Sequence, residues 1–92
     1  MDRDHAELLA LQVLGWVLEN EEIALVFLGS TGSDADQLRA RAQDPELLAA
    51  VLDFTLMDDA WVVAAARHAR IGPEELLSAR AVLPGGDAPH WS

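Results

Sequence analysis

The sequence predicts an all-α protein: a compact bundle of five or six short helices with no sheet. Three observations predict it. Ala and Leu, both strong helix formers, supply 31 of the 92 residues. Val, Ile and Thr, which favour strands, total eleven. No window shows clean period-two alternation, and no Asn-Gly or Asp-Gly pair signals a hairpin.

The first helix is expected from Asp4 to Glu19. Asp4 reads as its N-cap, and Glu7, three residues on, completes a capping box. On a helical wheel His5, Gln12, Gly15 and Glu19 share a narrow polar stripe with Leu8. Leu9, Leu11, Val13, Leu14, Trp16, Val17 and Leu18 fill the remaining circumference. An apolar arc this wide predicts a central, mostly buried helix. Asn20 reads as the next N-cap, with Glu21 and Glu22 at the positive end of the helix dipole. A short apolar helix follows through Leu28, and Gly29 is expected to end it in a left-handed cap. Residues 29–33 then form a loop. Ser33 or Asp34 caps a third short helix to about Ala42, in which Ala35, Leu38 and Ala42 keep helical spacing.

Asp44-Pro45-Glu46 is the clearest start signal: a cap, a proline at the first helical position and an acid behind it. The fourth helix places Leu47, Leu48, Val51, Leu52, Phe54 and Thr55 on one arc, with Glu46, Asp53 and Met57 opposite. Asp58-Asp59 restarts the chain as a fifth helix, Asp59 to Arg70. One unbroken helix from Pro45 to Arg70 is the alternative, long for so small a domain. Ile71-Gly72-Pro73 breaks the pattern, and Pro73, Glu74 and Glu75 open a sixth helix carrying Leu76, Leu77, Ala79 and Leu83. Residues 1–83 thus read as a single helical domain. Pro84, Gly85, Gly86 and Pro89 mark residues 84–92 as a Pro/Gly-rich C-terminal tail ending His90-Trp91-Ser92.

Composition excludes several classes of function. The chain has no cysteine, which removes disulfides, thiolate metal sites and cysteine catalysis. Sixteen acids stand against six arginines and no lysine, a formal charge of -10. The apolar stretch 8–18 has the look of a signal-peptide core, but Asp2 and Asp4 precede it where such a peptide is positive. Glu19-Asn20-Glu21-Glu22 ends the run well short of the about 20 apolar residues of a membrane span. A soluble, cytoplasmic protein is expected.

Each chemical candidate meets a structural explanation. The Gly29–Ser33 loop opens a helix as a phosphate cradle would, but has neither the Lys nor the preceding strand. Asp34 with Asp36, and Asp58 with Asp59, supply too few oxygens for calcium or magnesium and read as helix caps. His5, His68 and His90 include no i, i+4 pair; His68 lies seven residues from Trp61, placed to pack on that ring. No serine sits in a nucleophile elbow, and no triad assembles. No catalytic residue, cofactor or metal ligand is therefore expected. Residues 63–80 have a helix-turn-helix outline, and Arg67, Arg70 and Arg80 are half of all basic residues. Glu74 and Glu75 would face the phosphates, and the overall charge opposes nucleic acid. Trp16, Phe27, Phe54 and Trp61 read as core. Trp91 has nothing local to bury it, so it docks back on the domain or engages a partner as an anchor.

The runs AELLALQVLGWV, FLGSTGSDADQLRARAQDPELLAAVLDF, IGPEEL and LPGGDAPHW together resemble an uncharacterised alphaproteobacterial family, domain-of-unknown-function family 3572. The resemblance covers nearly the whole chain. It implies a small, all-helical, cytoplasmic bacterial protein, and it carries no reaction, cofactor or site residue.

The functional expectation is a small acidic protein-interaction or regulatory module without catalysis, taking a basic protein partner or a second copy of itself. Its acidic surface would attract basic partners and repel nucleic acid. The candidate interaction residues are His90, Trp91, Arg67 and Arg70. The alternative is a small DNA-associated regulator working through residues 63–80.

Overall fold

Acidic caps set where four of the six helices begin. In the computed structural model, which describes residues 1–84, these are α1 (Arg3–Glu19), α2 (Glu21–Thr31), α3 (Ala35–Ala40), α4 (Pro45–Thr55), α5 (Asp59–Ala69) and α6 (Pro73–Val82). No strand occurs among the described residues. The Asp2 carboxylate accepts the His5 N–H at 2.8 Å, and Asp34 accepts that of Gln37 at 2.8 Å. Asp44 accepts from Glu46, and Asp58 from Ala60 and Trp61. Each bond satisfies a donor that the first turn leaves without a partner.

Two caps differ from expectation. Asp2, not Asp4, caps α1, because starting earlier lets Arg3 pair with Glu7 at 3.0 Å across one turn. Gly29 lies inside α2; the left-handed residue is Gly32, at φ 72°. The Ser30 and Thr31 hydroxyls donate back to the carbonyls of Phe27 and Leu28, so the helix carries on to Thr31. Asn20 stands at the α1–α2 junction, but its side chain faces backward. Its amide donates to Trp16 O at 2.7 Å and closes α1, while Asn20 is also the expected N-cap residue of α2, its carbonyl accepting the Ala24 N–H at 2.7 Å without a side-chain capping bond. α3 also stops at Ala40, short of Ala42. Arg41 instead turns to pair with Asp44, and Pro45 needs Asp44 extended.

α4 and α5 are separate helices. The Asp58 cap restarts the chain after Met57, which is 79 % exposed. α5 ends in a Schellman turn: the Ile71 N–H reaches back to Ala66 O at 3.0 Å, with Arg70 left-handed at φ 61°. At the start of α6 the Glu75 carboxylate accepts the Gly72 N–H at 2.9 Å.

α1 is the central element, packed on α2, α4, α5 and α6. It buries Leu9, Val13, Leu14, Trp16 and Val17. α4 answers with Leu47, Leu48, Val51, Leu52 and Phe54. Phe54 carries an aromatic run, 4.9 Å from the Phe27 ring and stacked 4.8 Å from that of Trp61, which ties α2 and α5 to α4. Trp61 is only half-buried, and His68 is exposed rather than enclosed beside it. α3 is anchored by Leu38, which is fully buried. The radius of gyration, 12.3 Å, is that of a compact chain of this length, about 12 Å.

Candidate functional site

Seven α1 residues are buried, yet the helix has apolar side chains left over. Leu8 is 53 % exposed and Leu11 40 %, while Leu18 is half-buried. The exposure of Leu8 agrees with its place on the polar stripe. That of Leu11 corrects the expectation of burial, because no helix covers this flank of α1. Arg39 of α3 and Ala42 and Gln43 of the turn before α4 line the far side of this flank and leave a groove. Two recesses of about 290 and 300 Å³ run together there, sharing Leu11 and Ala42. Glu7, Leu8, Gln43 and Leu48 complete the first, and Leu14, Gly15, Leu18 and Arg39 the second.

Leu8, Leu11, Gly15 and Leu18 follow helical spacing along the groove wall, a stretch of about 15 Å. Acids bracket it along the chain: Asp4 and Glu7 before, Glu19, Glu21 and Glu22 after. Other apolar side chains also meet solvent, among them Leu25 and Val26 on α2 and Leu77 on α6. Scattered exposed residues of this kind are ordinary. The α1 flank differs in being concave. A third recess, at the α1–α2 turn, is lined by Glu21, Glu22, Ile23, Asn20 and Trp61.

The arginines divide into two groups. Arg3, Arg39, Arg41 and Arg80 pair with Glu7, Asp36, Asp44 and Asp53. Arg41, hydrogen-bonded to Asp44, holds that carboxyl below its ordinary value, helped by the Glu46 N–H. Arg80 grips both Asp53 oxygens, at 2.6 and 3.1 Å, and also donates to Pro84 O at 3.0 Å. It is a clasp between α4 and the end of α6. Among the described residues Arg67 and Arg70 have no ion-pair partner. Both are exposed at the α5 C-terminus, where cations favour the helix dipole, and neither lines the groove. Of the four candidate interaction residues these are the two placed; His90 and Trp91 lie outside the described residues. No group of three His, Asp or Glu side chains converges among the described residues, and none of their helices is long and apolar enough to cross a membrane.

The groove has a signal in the sequence. Leu8 on the polar stripe, Leu11 beside it and Gly15 a turn further form one continuous apolar-to-small face.

The family model described as a protein of unknown function (DUF3572) matches residues 3–86 of the chain. No curated protein and no solved structure matches it.

Proposed function

The chain belongs to the DUF3572 family of proteins of unknown function, and from that premise we propose a small, non-catalytic protein-interaction module. Its α1 flank accepts an amphipathic helix from a partner protein, apolar along one stripe and basic at both ends. The observation that carries this reading is the concave apolar groove over Leu8, Leu11 and Leu18. A helix laid in a groove presents apolar residues at i, i+3 and i+7, the same spacing the wall offers. Covering the exposed parts of Leu8 and Leu11 contributes about 2 kcal/mol, so the apolar contact alone is weak. Charge supplies the rest and selects the partner. Along α1 the stripe is preceded by Asp4 and Glu7 and followed by Glu19, within a chain of net charge -10, which favours Lys and Arg on the incoming helix and opposes a second, equally acidic copy.

Selection of helix-forming peptides from a displayed 20-residue library, using the full chain as bait, tests the reading. Winners should carry an apolar i, i+3, i+7 stripe with basic residues at both ends. They should shift the amide signals of Leu8, Leu11 and Ala42, and bind more weakly at high salt. Winners without that pattern, or shifts confined to α5 and α6, would contradict it. A chain that sediments as a dimer and becomes monomeric in Leu8→Glu would assign the face to a second copy instead.

A further inference from the structure

We infer that the recess over Gly15 is an anchor pocket for one large apolar side chain, a Trp or Leu, of the docked helix. The inference rests on the helix-accepting groove and adds where its specificity lies. Gly15 stands in the middle of the longest helix, where glycine is a poor choice. Nothing in the fold calls for it. Its φ is not in the left-handed range, and a Cβ built there meets no atom within 4 Å. Gly29 has the same open space but sits in the last turn of α2, where the helix is ending. At Gly15 the space instead opens into a recess that the glycine itself lines. Leu11 and Leu18, about one turn away on either side, line the recess with Leu14, which is 2 % exposed, and with Ala42 and Arg39 from across it. Any larger residue at position 15 would fill this recess from below. A helix whose interior breaks its own propensity without a packing reason points to use by something outside the fold.

The pocket's shape and chemistry fit a ring or branched chain entering from above. Its apolar lining is leucine and alanine, and Arg39, which also lines it, supplies a cation for the face of an aromatic ring. Arg39 stays 63 % exposed and holds Asp36 only at 3.4 Å, so it has freedom to do this.

Indole, the ring of a tryptophan side chain, is the probe, titrated into the full-length protein and followed by amide chemical shifts. Saturable shifts are expected at Leu11, Gly15, Leu18 and Ala42, with a Kd of about 1 mM for so small a ring. Gly15→Leu should abolish them. Gly15→Ala should keep the fold and raise the melting temperature by about 4–8 °C, as a mid-helix glycine replaced in a domain this size does. Shifts scattered elsewhere, no saturation in the native chain, or unchanged binding in Gly15→Leu would overturn the pocket. Binding that emerges only in Trp91→Ala would hand the recess to the chain's own last aromatic and overturn the partner anchor. Indole needs no helix, so its failure removes the pocket and leaves the groove standing. A peptide selection that fails while indole binds removes the docked helix instead.

Discussion

α4 and α1 are both rich in apolar residues, and they use them differently. In α4 every large apolar side chain, Leu47, Leu48, Val51, Leu52 and Phe54, is buried, while Glu46 and Asp53 face water. The core accounts for its whole pattern. α1 buries seven residues against four neighbours, yet leaves Leu8 and Leu11 in solvent and a glycine open between leucines. What the core leaves unexplained on α1 is where a function other than folding is to be sought.

The contrast can be broken most forcefully in the core. Phe54→Ala removes a ring 7 % exposed that packs tilted against Phe27 and stacks on Trp61, and should cost about 3–5 kcal/mol in chemical denaturation. Trp16→Ala, at 6 % exposure on the covered side of α1, should cost as much. Leu8→Ala or Leu11→Ala should each cost under about 1 kcal/mol, since half the side chain is in water already. A loss of about 3 kcal/mol at Leu8 would make the two helices alike and dissolve the comparison.

The polar face of α4 provides a subtler test. Asp53 lies opposite the core arc, as its position in the sequence indicates, but it holds Arg80, whose side chain is only 18 % exposed. Asp53→Ala should therefore cost about 1 kcal/mol, more than an ordinary surface change, and Arg80→Ala about the same or more. Equal stability of both variants to the native chain would mean that the clasp is decorative.

Arg70→Gly should stabilise by about 0.5–1 kcal/mol, because glycine adopts φ 61° without strain. Destabilisation would mean that the Arg70 side chain contributes more than its backbone costs. The smallest effect concerns pH. Asp44 is depressed below 3.8 in the folded chain, so its stabilisation is fully present above that value and is lost as pH falls further, through the folded-state value. Asp44→Asn should flatten the stability profile on the acid side of pH 3.8 and nowhere else.

How much was legible follows the same division. α4 could be read almost residue by residue, because Asp44-Pro45-Glu46 and a one-sided apolar arc agree with each other. The split at Asp58 and the opening of α6 at Pro73 were legible for the same reason. Gly29 misled because two hydroxyls extend α2 past it, a local bond that composition does not reveal. Arg70 as a left-handed cap was invisible, since arginine gives no hint of positive φ. The groove was half legible: Leu8 stood on the polar stripe, but whether Leu11 is covered depends on how closely α3 and its following turn lie against α1. Only the tertiary packing decides that. The Asp53–Arg80 clasp, joining residues 27 apart, likewise has no sequence signature.

The central claim is that the open flank of α1 is idle in folding and used in docking. The most direct measurement is the affinity of a peptide selected on the native chain for the Leu8→Glu/Leu11→Glu variant, read by fluorescence anisotropy beside a thermal melt of the same sample. The account predicts an affinity loss of at least about tenfold, roughly 1.4 kcal/mol, with a melting temperature close to that of the native protein. Unchanged affinity, or a melt that collapses because the flank is core after all, would contradict it.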